Sequence, residues 1–270
     1  MIDLQSGNMR AVLAPAHGGA VLSLSCDGVD ILRPASSLAA VAADPREAAC
    51  YPCVPWFSRL VGGLDFDGRH YDLAPTLPAC DPEHALHGHG WVSEWRVTAQ
   101  TANRLQCRFD HAPRPRVFPF AFRAQQDFSL SDNDFSIQLS VTNTGETRMP
   151  AGLGLHPFFP CNGNTRLNVV ERPEKRPLPG DLQSPDIVDH SGPIPAEPVD
   201  YTIRGWDGHA EIIHNGKRIA MRGSAPLLHL YSPEEADFYC AEPITHLPGR
   251  FGEDILAPGE TASLQMTLSV

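Results

Sequence analysis

The stretch "SIQLSVTN" at residues 136–143 decides the fold class, because three alternate residues in it are apolar. Ile137, Leu139 and Val141 alternate with polar residues from Ser136 to Thr142. This alternation puts the apolar side chains on one face of a β-strand and the polar ones on the other. The stretch therefore predicts a strand that turns one face inward.

The same alternation recurs in other stretches that are bounded by Gly, Pro, Asn or Asp turn residues. They are "MRAVLAP" (9–15), "AVLSLSC" (20–26), "RLQCRFD" (104–110) and "ASLQMTLSV" (262–270). Helical periodicity is scarce, and its best example, "SLAAVAADPREAAC" (37–50), is interrupted by Pro45. We predict an all-β fold, a large antiparallel β-sandwich with few short helices that fill less than about a tenth of the chain.

The chain has 270 residues, of which 42% are hydrophobic, so it can bury a sizeable core. No internal repeat divides it. The densest cluster of prolines, at 171–198, is predicted to be one long loop because strand-like sequence resumes on both sides. We therefore expect a single domain over residues 1–270, with long loops that build a cleft across one sheet.

The charge balance is acidic, with 32 Asp and Glu against 21 Lys and Arg and a formal net charge of −11. No basic run could follow a phosphate backbone, so nucleic acid is not an expected partner. No signal peptide opens the chain and no apolar run approaches the length of a membrane span. We expect a cytoplasmic protein without membrane contact, and the sequence predicts no particular oligomeric state.

Seven scattered cysteines argue against a disulfide framework. Most are expected to be small buried residues. The pair in "CYPC", Cys50 and Cys53, also has a spacing that redox and metal sites use, so chemistry at this pair stays an alternative.

The stretch "HALHGHGW" at 84–91 holds three of the twelve histidines. His87, His89 and Glu94 follow the His-x-His-x4-Glu order of cupin metal sites, since alternate strand residues can converge on an ion. The match is partial, because Asp81 stands where a cupin has glycine. Solvated loop histidines are the third interpretation.

Four motifs in order resemble the aldose 1-epimerase (galactose mutarotase) family. They are "PWFSRLVGGLDFDGRHYDL" (55–73), "HALHGHGWVSEWRV" (84–97), "LGLHPFFPCN" (153–162) and "FYCAEPITHLPGRFGEDILAPGE" (238–260). The likeness extends through "GGAVLSLSCDGVDILRP" (18–34), so it covers nearly the whole chain. It implies a mutarotase-like sandwich.

The resemblance implies a role for each matching residue. Arg59 stands at the position of a sugar-binding arginine, although Ser58 replaces the Asn that usually precedes it. His87 matches the histidine that holds the sugar around its ring oxygen, and His89 has no counterpart. His156 matches the general acid, with "HPFF" in place of His-x-Tyr-Phe.

The carboxylates are implied in the same way. Glu260, in "LAPGE", is taken as the general base. Asp200, in "VDYTIRGWDG", is taken as the aspartate that binds sugar hydroxyls, with Asp207 as its rival. Of the four tryptophans, at most one or two are expected to stack on a sugar in the cleft.

Interconversion of α and β anomers needs one group that takes a proton and one that gives a proton, so we expect a small-molecule sugar as substrate and neither metal nor cofactor. A cupin-like metalloenzyme and a non-catalytic carbohydrate-binding protein are the alternatives. Bound metal would indicate the first, and sugar binding without mutarotation would indicate the second.

Overall fold

The computed structural model describes residues 1–171, 188–234 and 236–270. Strands make up 53% and helices about 5% of these residues, which confirms the predicted all-β fold with few short helices. Residues 172–187 of the predicted loop lie outside the described part of the chain. The described strands are β1 (Ile2–Ser6), β2 (Met9–Ala14), β3 (Ala20–Cys26), β4 (Val29–Asp30), β5 (Cys50–Cys53), β6 (Arg59–Leu60), β7 (Leu64–Phe66), β8 (Arg69–Tyr71), β9 (Ala85–Leu86), β10 (Arg96–Gln100), β11 (Arg104–His111), β12 (Phe122–Leu130), β13 (Asp134–Asn143), β14 (Met149–Pro150), β15 (Gly154–Pro160), β16 (Arg166–Glu171), β17 (Val188–Asp189), β18 (Gly192–Pro193), β19 (Val199–Arg204), β20 (Trp206–His214), β21 (Lys217–Gly223), β22 (Leu227–Ser232), β23 (Phe238–Ile244), β24 (Ile255–Leu256) and β25 (Thr261–Ser269).

The described helices are short for local reasons. Helix α1 (Leu38–Ala43) begins where the Ser37 hydroxyl accepts the N–H of Ala40, and it ends before Pro45. Pro45 cannot donate a backbone hydrogen bond inside a helix, but it suits the first position of a new turn. A 3-10 helix accordingly starts there (Pro45–Glu47), and a second lies at Gly90–Val92.

Two large antiparallel sheets contain most of the described strands. The first sheet has the order β1-β2-β3-β5-β15-β23-β22-β19, with β4 paired to β3. The second sheet has the order β10-β11-β12-β13-β25-β21-β20-β16-β17, with β18 paired to β16. Neighbours that are distant in sequence, such as β5, β15 and β23, lie side by side in the first sheet. The sandwich thereby gathers several separate motifs on a few adjacent strands.

The second sheet shows the alternation that the sequence predicts. In β13, the side chains of Ile137, Leu139 and Val141 are buried between the sheets, while Gln138 is exposed. Burial of alternate residues removes one apolar face from water and leaves the other face solvated. The strand prediction for "SIQLSVTN" is confirmed.

The centre of the first sheet is buried on both faces. Leu155 and Phe159 of β15 pack into the core between the sheets, whereas Phe158 packs on the opposite side. That opposite side is covered by α1 and by the loops around Phe57 and Trp91. No helix among the described residues is long and apolar enough to cross a membrane. The covered face of the first sheet is where the cavity lies.

Candidate active site

A row of polar side chains crosses the covered face of the first sheet. Strand pairing sets Tyr51 of β5 opposite His156 of β15, Glu242 of β23 opposite His229 of β22, and His229 opposite Thr202 of β19. Paired residues of adjacent strands point to the same side of a sheet. The register therefore brings together five residues that are far apart in the sequence.

A second row lies two residues further along the same strands, so its side chains point to the same face. Phe158 pairs with Cys240, Cys240 with Tyr231, and Tyr231 with Asp200. Apart from Thr202 and Cys240, the residues of the two rows line the floor of a cavity of about 420 Å³, which is the size of a small-molecule site. Residues from outside these two rows complete its walls and rim, among them Arg33, Arg46, Arg59, His87 and Trp91.

His87 reaches the cavity from a strained loop position. Its backbone has φ of +53°, a left-handed conformation that is uncommon for residues other than glycine. The N–H of Ser58 donates to His87 Nδ1 at 3.1 Å, and the N–H of His87 donates to the Ser58 carbonyl at 3.0 Å. In the neutral ring, the proton is therefore on Nε2. Burial, with the charges of His229 and Arg59 adding to it, lowers the pKa of His87 to about 3, so this imidazole is an uncharged hydrogen-bond donor.

Gly88 and His246 hold this loop in place. Gly88 has φ of +68°, and a Cβ on it would meet the Val54 carbonyl oxygen at 2.0 Å, so this close approach requires glycine. Nε2 of His246 accepts the N–H of Phe57 at 2.9 Å, and its Nδ1 donates to the Leu247 carbonyl. The bond to Phe57 fixes the chain just before Ser58, and the close approach at Gly88 fixes it just after His87.

Arg59, for which the sequence motifs suggest sugar binding, lies at the rim of the cavity. Its Nε donates to Asp81 Oδ2 at 2.6 Å. Burial opposes ionisation of Asp81, yet hydrogen bonds from Arg59 and from the backbone N–H groups of Glu83 and His84 hold its pKa well below its usual range. The charged Asp81 therefore orients the guanidinium, which remains half exposed toward the cavity.

His156 and Glu242 face each other at the bottom of the cavity. His156 Nε2 lies 3.5 Å from Glu242 Oε2, and the two side chains are 8% and 1% exposed. Within the described chain, both Glu242 oxygens and His156 Nδ1 are buried without a hydrogen-bond partner. Burial raises the pKa of Glu242, with the Asp200 charge adding to it, and burial lowers the pKa of His156. The free site therefore favours uncharged forms of both groups, which suits a pair that exchanges a proton.

Asp200 lies at the end of a chain of polar contacts. The Thr202 hydroxyl lies 2.9 Å from His229 Nδ1, and His229 Nε2 lies 3.3 Å from Asp200 Oδ1. Donation by the hydroxyl to Nδ1 would leave the ring proton on Nε2, the nitrogen nearer the carboxylate. Asp200 is 68% exposed and borders the cavity, so His229 orients a carboxylate that a ligand can reach.

Glu260 does not lie with these residues, although the sequence interpretation made it the general base. It is exposed in the turn before β25, where its Oε2 accepts the N–H of Ala257 at 2.7 Å. Its backbone carbonyl accepts the N–H of Asn143 at the end of β13. A carboxylate that closes a turn before a strand has a structural reason to be there. The carboxylate that the fold brings to His156 is Glu242.

The sequence carried a signal for Glu242 that the interpretation missed. In "FYCAEPI", it is the one charged residue of an otherwise apolar strand. Acidic side chains are almost never fully buried unless they are paired or functional. A charge in a strand with no polar alternation therefore indicates a site rather than a surface.

The remaining candidates separate clearly. Asp207 lies at the start of β20 in the second sheet, where its Oδ1 accepts the N–H of His209, so the structure places Asp200 and not Asp207 at the cavity. Trp91 lines the cavity and stacks on Tyr51 at 5.2 Å between ring centroids. The other tryptophans are buried away from the cavity lining: Trp56, Trp95 and Trp206.

The side chains of His87, His89 and Glu94 do not converge on one metal site, so the cupin-like alternative is wrong. His87 Nδ1 is bonded to Ser58, His89 Nε2 lies 3.2 Å from the Val117 carbonyl oxygen, and Glu94 is exposed. Over residues 1–171, 188–234 and 236–270, the one group of His, Cys and acidic side chains close enough to share an ion is a different one, His156 with Cys240 and Glu242. The residues of "HALHGHGW" therefore build a loop that carries one histidine, His87, to the cavity.

Cys50 and Cys53 are buried free thiols on β5. Residues three apart on a strand point to opposite faces. Cys50 accordingly packs between the sheets and Cys53 packs on the cavity side. Burial raises the pKa of both thiols, so this pair has neither the geometry nor the acidity of a redox motif.

Comparison with known proteins identifies the family and the fold. The family model described as aldose 1-epimerase matches residues 1–269. The uncharacterized protein YphB of Escherichia coli K12 is 32% identical over 282 aligned positions, which cover 94% of this chain and 93% of that protein.

Solved structures show the same fold. The crystal structure of an Escherichia coli K12 protein provisionally named aldose 1-epimerase matches with a TM-score of 0.82 and 28% identity, over 99% of this chain and 97% of that one. A galactose mutarotase-like protein from Clostridium acetobutylicum matches with a TM-score of 0.78 and 19% identity, over 98% and 93% of the two chains. The architecture is galactose mutarotase-like, and the chain belongs to the aldose 1-epimerase family.

Proposed function

We propose that the protein interconverts the α and β anomers of an aldose, with Glu242 and His156 as the pair that moves the protons. One observation carries the proposal: a buried carboxylate and a buried imidazole face each other at 3.5 Å in a cavity of sugar size. Family membership supports a mutarotase-like activity. The pair replaces the one that the sequence motifs suggested, since Glu260 lies elsewhere.

The proton transfers balance over one turnover. Ionised Glu242 takes the proton of the C1 hydroxyl, protonated His156 gives its proton to the ring oxygen, and the C1–O5 bond opens to the aldehyde. The aldehyde end rotates, the C5 hydroxyl adds to its other face, and the protons return to where they began. One proton shared by the pair is sufficient, because each group alternates as acid and base.

The burial of the pair favours the ring-opening step. In the bound cyclic sugar, the reacting pair is charged, and after ring opening both groups are neutral. An apolar environment penalises the charged forms, which is why the pKa of Glu242 is raised and that of His156 is lowered. The charged form of the pair is therefore a minor form in the cyclic complex, and once it has formed, ring opening leads to the neutral groups that burial favours.

Three side chains are suited to hold the sugar. His87 offers an uncharged Nε2–H donor, Arg59 offers guanidinium N–H groups beyond its bond to Asp81, and Asp200 offers carboxylate oxygens. Donors and acceptors around the rim can fix hydroxyl groups while the acid and base meet at C1 and O5. Positioning of this kind supplies much of the rate in reactions that need only proton transfer.

The direct test is polarimetry of freshly dissolved α-anomers from a panel of aldoses, with and without the protein. The proposal expects at least one aldose to equilibrate faster with the protein than in buffer. Sugar binding without any such acceleration would support the carbohydrate-binding alternative, because a binding module does not need an imidazole opposed to a carboxylate.

A further inference from the structure

Three metal-ligand types come together on the covered face of the first sheet. His156 lies on β15, and Cys240 and Glu242 alternate on the neighbouring strand β23, so all three side chains point to the same face. One donor atom from each lies within 4.8 Å of the other two. The arrangement rests on the central strands of the first sheet rather than on loops, which makes it rigid.

The three side chains are buried and make few competing polar contacts with the described residues. Both oxygens of Glu242 and Nδ1 of His156 are buried and lack hydrogen-bond partners among the described residues. Cys240 is a free thiol that is 0% exposed. Buried polar atoms normally have partners, so groups that lack them are available to a ligand.

The donor set favours a soft divalent cation. Nitrogen, thiolate and carboxylate are the ligands of zinc, whereas magnesium and calcium prefer oxygen alone. With zinc–ligand bonds of about 2.0 to 2.3 Å, tetrahedral neighbours lie roughly 3.3 to 3.8 Å apart, and the Nε2–Oε2 separation is 3.5 Å. A thiolate and a carboxylate also neutralise a doubly charged ion, so the loaded site would add no net charge to this buried position.

We propose that His156, Cys240 and Glu242 form an inhibitory site for zinc. Inhibition follows if the proposed function holds, because the ion takes the lone pairs of the two groups that must exchange a proton. Zinc binds the imidazole nitrogen and the carboxylate, and the Cys240 thiol releases its proton to solvent as its sulfur binds the ion. The fourth position faces the cavity, where a bound sugar competes for the same space.

The test measures zinc binding directly, by competition with a chromogenic zinc chelator on metal-free protein. We expect one zinc per chain and no comparable binding of magnesium. Cys240→Ser should weaken zinc binding by about tenfold or more, the usual loss when a metal site is damaged. Cys107→Ser is the matched control, because Cys107 is an equally buried thiol on β11 of the second sheet, and it should leave zinc binding unchanged.

A second arm uses the activity. Zinc should slow mutarotation, a chelator should restore the rate, and a higher sugar concentration should raise the zinc concentration needed for half inhibition. Glu242→Gln provides a further binding variant if Cys240→Ser fails to fold, and it should also weaken zinc binding.

The two proposals fail in different ways. Zinc binding that Cys240→Ser and Glu242→Gln both leave unchanged, or no binding at all, overturns the zinc site and leaves the mutarotase proposal intact. Zinc binding to a protein that accelerates no aldose supports the site and overturns the proposed function.

Discussion

Nε2 of His156 lies 3.5 Å from Oε2 of Glu242, and that carboxylate has no hydrogen-bond partner among the described residues. Burial of such a pair destabilises the folded state, since each unsatisfied buried polar group costs on the order of 1 to 3 kcal/mol. Active sites are where proteins retain such groups. The relationship therefore has consequences for both stability and activity.

The first prediction concerns stability and its pH dependence. Because the pKa of Glu242 is raised in the folded state, the folded protein holds this proton more tightly than the unfolded chain does. The free energy of unfolding therefore falls as pH rises above the unfolded pKa of about 4.3. Gln cannot ionise, so Glu242→Gln should raise the free energy of unfolding by about 1 kcal/mol or more at pH 8 and have little effect at pH 4.

Denaturant unfolding at the two pH values measures this difference. His156 works in the opposite direction, because its lowered pKa reduces stability as pH falls below about 6.5. Wild type and variant share that contribution, so it largely cancels in their comparison. A Glu242→Gln protein that is less stable than wild type at pH 8 would show that the carboxylate contributes a stabilising interaction.

The second prediction is the pH profile of kcat/KM. The active form of the pair carries one proton. Burial lowers the pKa of His156 and raises that of Glu242, so a second proton is gained only at low pH and the shared proton is lost only at high pH. We expect a bell with a broad plateau around neutral pH, whose two limbs belong to the pair rather than to either residue. A sharp optimum with limbs less than about one pH unit apart would contradict this reasoning.

The third prediction separates the two rival aspartates. Asp200 borders the cavity and Asp207 belongs to the second sheet. Asp200→Asn should raise KM by roughly tenfold or more, since hydrogen bonds to charged groups contribute about 1.5 to 3 kcal/mol. Asp207→Asn should leave KM within a few-fold of wild type. Steady-state kinetics on the two variants decides between them, and the reverse pattern would move the sugar away from this cavity.

The fourth prediction tests the loop that carries His87. In Gly88→Ala, the added Cβ meets the Val54 carbonyl oxygen at 2.0 Å, so the loop must move and activity should fall sharply. Gly62→Ala is the control, because Gly62 also has positive φ, at +75°, but has no atom within 4 Å of its Cβ position. In Gly62→Ala, the free energy of unfolding should fall only by the conformational cost of positive φ, about 1 to 2 kcal/mol. Equal activity losses in the two variants would mean that the Val54 contact does not matter.

The sequence predicts the outer part of this fold better than its centre. Alternation such as that of Ile137, Leu139 and Val141 exists because one face of the second sheet is in water. The strands that carry His156 and Glu242 are buried on both faces, so their polar residues are not arranged by contact with solvent.

Most of the site residues could be found from local sequence motifs, and Glu242 could not. Arg59, His87, His156 and Asp200 were found through motifs, and the fold places all of them at the cavity. Glu260 was chosen because its turn matched a motif, whereas the pairing of β15 with β23 selects Glu242. Register across strands that are about 80 residues apart in sequence is a property of the sheet, and no local pattern encodes it.

The mutarotation rates of Glu242→Gln and Glu260→Gln test the proposed proton pair most directly. They are measured by polarimetry on an aldose that the wild-type protein equilibrates. Gln keeps the shape of each side chain and removes its ability to take a proton. We predict that Glu242→Gln lowers kcat by about 10² or more, the usual scale for loss of an acid–base group, while Glu260→Gln stays within a few-fold of wild type. A fully active Glu242→Gln beside an inactive Glu260→Gln would contradict the proposed proton pair.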